Sequence, residues 1–129
     1  MSYPRTYEEA VLFEQRAQTL VEKNLSQRSL PRSVATLAVL KQIQGLVPAG
    51  TYRHFKGGTY QVLRTLEDVN TGLCYVEYVA QYGIYKGEPA LRVLVGEDSF
   101  LRPVERSEYR GVRFALYEDS VDETVLRDI

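Results

Sequence analysis

Tyr60-Gln61-Val62-Leu63-Arg64-Thr65-Leu66-Glu67-Asp68-Val69-Asn70-Thr71-Gly72-Leu73-Cys74-Tyr75-Val76-Glu77-Tyr78-Val79-Ala80-Gln81-Tyr82 is the stretch whose reading decides the fold. Both of its halves are rich in Val, Leu and Tyr, which suit a pleated, half-buried surface. Between them, Asp68-Val69-Asn70-Thr71-Gly72 has the composition of a hairpin turn, with Gly72 supplying a positive φ. Residues 60–66 and 73–82 are therefore predicted as paired antiparallel strands. Alternation puts Cys74, Val76, Tyr78, Ala80 and Tyr82 on the inner face and leaves Glu77 and Gln81 on the other.

Strand signals continue toward the C-terminus. Gly83 and Lys86-Gly87-Glu88-Pro89 read as a loop, followed by strands at 91–95, 99–102 and 112–116 separated by Gly96, Pro103 and Gly111. Short strands with turn residues every eight to twelve positions fit a small antiparallel barrel of the SH3-like kind, of about five strands. On the N-terminal side, Tyr52-Arg53-His54-Phe55-Lys56-Gly57-Gly58-Thr59-Tyr60 concentrates cations, rings and the chain's one histidine beside a paired-glycine turn. Gly57-Gly58 lacks the strand-loop-helix frame and Lys-Ser/Thr pair of a phosphate loop, so it reads as a hairpin turn.

The first 49 residues have helical periodicity instead. Thr6-Tyr7-Glu8-Glu9 has the form of a capping box, and Ala10, Phe13, Ala17, Leu20, Val21 and Leu25 make one apolar stripe over 7–24. Glu14, Gln18, Glu22 and Lys23 are assigned to the opposite face. A second helix is expected from Pro31 to Gln44, stopped by Gly45 and Pro48. Its wide apolar surface predicts packing against two partners, such as the first helix and a sheet, or another subunit. The chain thus divides into a helical hairpin (1–49), a barrel (50–117) and an acidic tail (118–129), an α+β protein.

Charge narrows the functional classes. Residues 1–49 carry six Lys/Arg against four Asp/Glu, residues 50–117 nine against eight, and residues 118–129 one against five. The net −1 argues against a dedicated duplex-DNA binder, whose affinity comes from neutralising phosphates. One cysteine and one histidine exclude a disulfide framework, a thiolate zinc cluster and a His-rich metal site, so no metal or cofactor is expected. The start lacks a secretory-signal layout, and the longest apolar run, 34–40, is far short of a membrane span. A cytoplasmic location is expected.

Tyr52–Gly57, followed by Tyr60, Val62 and Leu63, the Thr71-Gly72 turn, Gln81-Tyr82-Gly83, Phe100 and Arg113-Phe114, resembles the bacterial domain of unknown function 1653. The resemblance covers residues 50–117 and implies a small SH3-like barrel with no assigned activity. Two features of that family are replaced here. Glu67-Asp68-Val69 stands where the family commonly has Arg-His, and Val93-Leu94-Val95-Gly96 where it commonly has Trp-Val-Arg-Pro.

Catalytic chemistry has little to work with. Cys74 and His54 are the single nucleophile–base candidate, but Cys74 falls on the predicted inner face, where free cysteines serve as packing. The expectation is a non-enzymatic binding module. Its cleft would be formed by Tyr52, Arg53, His54 and Lys56 with Tyr82 and Tyr85, and would hold a small anionic, nucleotide-like ligand or a peptide. The alternative is an adaptor, inhibitor or assembly factor, with homo-oligomers formed through residues 33–44. A His54-based hydrolase is a third and weaker reading.

Overall fold

The computed structural model describes residues 2–117; the acidic segment 118–129 lies outside the described residues. Helix α1 spans Tyr7–Ser26 and α2 spans Val34–Gln44. The strands are β1 (Gly50–His54), β2 (Thr59–Glu67), β3 (Cys74–Ala80), β4 (Pro89–Val93), β5 (Val104–Glu105), β6 (Arg110–Gly111) and β7 (Phe114–Leu116).

Thr6 caps α1 by accepting the Glu9 N–H at 3.1 Å. The Glu9 carboxylate takes the Arg5 N–H instead of closing back on Thr6, so only half of the predicted capping box forms. Ala10, Phe13, Ala17 and Val21 are buried as the periodicity requires. Glu14 is a correction, because it is buried rather than on the solvent face. Its Oε2 accepts from Gly96 N and Ser99 Oγ and pairs with Arg102 at 3.3 Å, bonds supplied by the loop after β4. Asn24 is also buried and donates to Glu67.

Helix α2 starts later than its sequence predicts. Pro31 precedes it, and Ser33 with Thr36 forms a reciprocal capping box that sets the first turn. Thr36, Val39 and Ile43 are buried, while Val34 and Leu37 are 89% and 40% exposed. One apolar face of α2 is therefore left uncovered by the described residues.

Five strands form one antiparallel sheet in the order β4-β3-β2-β1-β7, and β5 and β6 make a separate ribbon. No hydrogen-bonded ladder joins β4 to β7 among the described residues. The open side is filled instead by Phe100, whose ring stacks on Phe114 at 4.3 Å. Residues 99–102 do not form the predicted strand: Gly96 and Asp98 take positive φ, and Ser99 is held by Glu14. Strand β3 stops at Ala80, so Tyr82 leaves the inner face and is exposed. Helices and sheet share one core, in which Phe13, Ala17, Val39 and Ile43 pack with Tyr52, Val62, Val76 and Phe114. Tyr3 joins the layers by donating from its hydroxyl to the Phe114 carbonyl at 2.8 Å.

Candidate functional site

The site begins where β1 ends. His54 pairs with Phe114 of β7, so their side chains share the inner face. The chain then reverses at Gly57 and Gly58, both at positive φ, with Gly57 N donating to His54 O at 2.8 Å. This reversal ends the strand alternation of β1. Phe55 neither enters the core nor lies opposite His54; its ring sits 4.6 Å from the imidazole. Phe55 N donates to Arg113 O, which brings the segment before β7 alongside the turn.

Cations gather on these rings. The Arg106, Lys56 and Arg113 head groups lie 5.0, 5.7 and 5.7 Å from the Phe55 centroid. Tyr109 stacks on the same ring at 5.5 Å. Arg92, from β4, sits 5.4 Å from the Phe114 centroid, with Nη1 donating to Asp98 O and Nε buried without a partner. Among the described residues, none of these four cations forms a salt bridge with a carboxylate. Asp98 and Glu108 are close enough to act on Arg113 and Arg106 through space.

His54 responds to this setting. Burial first, then the charges of Arg92, Arg113, Lys56 and Arg106, push its pKa down to about 4, so the imidazole is neutral at pH 7. Its Nδ1 accepts from Lys56 N at 3.2 Å, which assigns the proton to Nε2 and makes that nitrogen a donor. Burial, aided by Arg92, also pulls the Arg113 pKa below its usual range.

A cleft of about 450 Å³ adjoins the cluster, lined by Tyr60, Tyr78, Tyr82, Tyr85, Glu88 and Ala90 among others. Tyr60 is its shared wall, 6.4 Å from the His54 ring and 5.4 Å from Tyr78.

The six residues singled out from the sequence divide accordingly. His54 and Lys56 lie in the cationic cluster, and Tyr82 and Tyr85 in the cleft. Tyr52 is fully buried, with its hydroxyl donating to Pro48 O at 2.7 Å, and supports the site only from beneath. Arg53 points to the opposite face, as strand parity demands, and is exposed. Arg92, Arg106, Arg113 and Tyr109 were missed. For Arg92 a signal existed: it shares strand parity with Ala90 and faces the core opposite Val76.

The Cys74–His54 pair is not assembled. Cys74 pairs with Glu67 at one end of β2 and His54 lies by Thr59 at the other, about 26 Å of strand away. Burial, then the nearby Glu67, raises the Cys74 thiol to about 11. Among the described residues no group of three or more His, Cys, Asp or Glu could hold a metal, and no helix is long and apolar enough to cross a membrane.

Fold and site together define a small α+β module whose inner sheet face ends in a tyrosine-lined cleft beside a cluster of cations on Phe55 and Phe114. Residues 50–116, just over half of the chain, match the family model described as protein of unknown function (DUF1653), and the chain belongs to that family. Among solved structures, a crystal structure of a DUF1653 protein from Bordetella bronchiseptica is similar. It is 26% identical, covers 54% of this chain and 85% of its own, and has a TM-score of 0.47. No curated protein matches the chain.

The family description names no activity, and both helices fall outside the matched residues. Glu67 accepts from Asn24 and pairs with Arg32 at 2.7 Å, docking the helical hairpin.

Proposed function

We propose that the chain is a non-enzymatic binding module that holds a small anion with His54, Lys56, Arg92, Arg106 and Arg113. The observation that carries this reading is the convergence of four cations on Phe55 and Phe114 without a carboxylate ion-pair partner among the described residues. Like charges held together at partial burial repel one another, and a bound anion relieves that repulsion. Guanidinium groups also match the geometry of phosphate and carboxylate oxygens. The neutral His54 adds an N–H donor without adding another charge. Isothermal titration with inorganic phosphate and pyrophosphate tests the reading. Binding that is weakened in Arg92→Gln and Arg113→Gln but unchanged in Arg53→Gln supports it; no binding by the unaltered chain rejects it.

The uncovered face of α2 favours a second reading, an interaction or assembly surface. Val34 and Leu30 are 89% and 53% exposed, and Leu37 beside them is 40% exposed. Light scattering across a concentration series separates the two. Self-association abolished by Val34→Glu would favour assembly through α2, and a constant monomer mass would remove the homo-oligomer.

A further inference from the structure

We propose that the anion site and the tyrosine cleft form one site for a free mononucleotide, with the base in the cleft and the phosphate on the cations. This rests on the anion-binding reading and adds the ligand's second half.

Three structural relationships support the extension. The subsites share a wall: Tyr60 lines the cleft and packs against His54 and Phe114 of the cluster. Ala90 and Arg92 lie on the same face of β4, opposite Tyr78 and Val76, so the Arg92 Cα is one same-face step, about 7 Å, from that of Ala90 in the cleft wall. The turn carrying Lys56 also meets the cleft directly. A Cβ at Gly58 would stand 3.1 Å from the Tyr82 hydroxyl and 3.6 Å from the Tyr60 ring, and only glycine readily accepts its φ of 90°.

The charges of the two subsites differ, and this sets the ligand's direction. Among the described residues Glu88 is the one charged residue lining the cleft, while the cations lie around His54 and Phe55. An anionic group is repelled by the carboxylate and attracted to the far end. At the cleft end, Glu88 can accept from the amino groups of a base, as carboxylates do in nucleic-acid readout. Four tyrosine rings supply stacking surfaces, and a base is a flat ring that stacks without sequence preference. The cavity volume falls in the range of small-ligand pockets. The chain's net charge of −1 favours a free nucleotide over a polymer, whose binding grows with the number of phosphates neutralised.

The test is isothermal titration of the full chain with GMP, UMP, ribose 5-phosphate, O-phosphotyrosine and a five-residue oligonucleotide. GMP is expected to bind at least about tenfold tighter than ribose 5-phosphate, the stacking contribution of one base. Combined Tyr82→Ala and Tyr85→Ala substitution should erase that margin and leave ribose 5-phosphate binding unchanged. Both side chains are exposed, at 56% and 68%, so the variant retains the fold, and an unchanged melting temperature verifies it. Glu88→Gln should reduce the preference for GMP over UMP.

Equal affinity for GMP and ribose 5-phosphate would overturn the base subsite while leaving the anion site standing. O-phosphotyrosine binding as tightly as GMP, or the oligonucleotide binding more tightly, would overturn the assignment to a free nucleotide. Failure of every ligand would overturn both proposals.

Discussion

The Phe55 and Tyr109 rings stack 5.5 Å apart with 22° between their planes, linking the β1–β2 turn to the β5–β6 ribbon. Through that contact, two segments about fifty positions apart in sequence present Lys56 on one side and Arg106 and Arg113 on the other around one ring. The site therefore depends on the ribbon's docking as much as on the main sheet.

His54 is the only histidine, so its proton NMR signals titrate without ambiguity. A midpoint near 4 is expected, well below the ordinary value of about 6.5. Because the folded value is depressed, the unfolded chain binds a proton between about pH 6.5 and 4 that the folded chain does not. Stability should consequently fall as pH drops through that window, and His54→Gln should flatten this part of the profile. A midpoint near 6.5 would show that neither burial nor the cations act on the ring.

Glu14 tests the anchoring of the loop after β4. Glu14→Ala removes an acceptor for Gly96 N and Ser99 Oγ and strips the partly exposed Arg102 of its ion pair. A loss of about 2–3 kcal/mol, read from urea unfolding, is expected for a buried charged acceptor. A change below about 0.5 kcal/mol, typical of surface sites, would return Glu14 to the solvent face that its helical spacing suggests.

Gly72 ties the β2–β3 turn to the end of α1. Its φ is 79°, and a Cβ there would meet Leu25 Cδ2 at 2.7 Å and crowd the Arg28 side chain. Gly72→Ala should cost about 2 kcal/mol, combining the left-handed penalty with overpacking against the helix. Gly83 has the same hand with nothing within 4 Å, so Gly83→Ala should show the backbone penalty alone.

Cys74 should resist thiol reagents in the native state. Its side chain is buried and its pKa is raised to about 11, so little thiolate exists at neutral pH. Labelling by a disulfide reagent should be slow in buffer and complete in denaturant. Rapid native labelling would place Cys74 outside the core.

Much of the fold was legible because its signals are local. The apolar stripe of α1, the Gly45 stop of α2, the Asp68–Gly72 turn and the alternation of Cys74, Val76 and Tyr78 each depend on residues within a few positions of one another. Local signals misled where a distant partner decided the outcome. Glu14 has the spacing of a solvated residue but is buried because the loop after β4 brings donors to it. Ser99–Arg102 has the composition of a strand but joins no ladder among the described residues, because its Phe100 and Leu101 N–H groups turn back onto Val93 O and Leu94 O at the end of β4.

The sequence by itself determined the two helices, the β2–β3 hairpin and the glycine turn after His54, and it singled out His54 and Lys56 with Tyr82 and Tyr85. Tertiary structure decided the rest. Strand parity removed Arg53 to the other face, core packing took Tyr52, and the order β4-β3-β2-β1-β7 delivered Arg92 and Arg113 from opposite ends of the sheet. Periodicity reports which way a side chain faces along its own element. Which remote charges it will meet depends on long-range pairing, and that is a property of the assembled sheet.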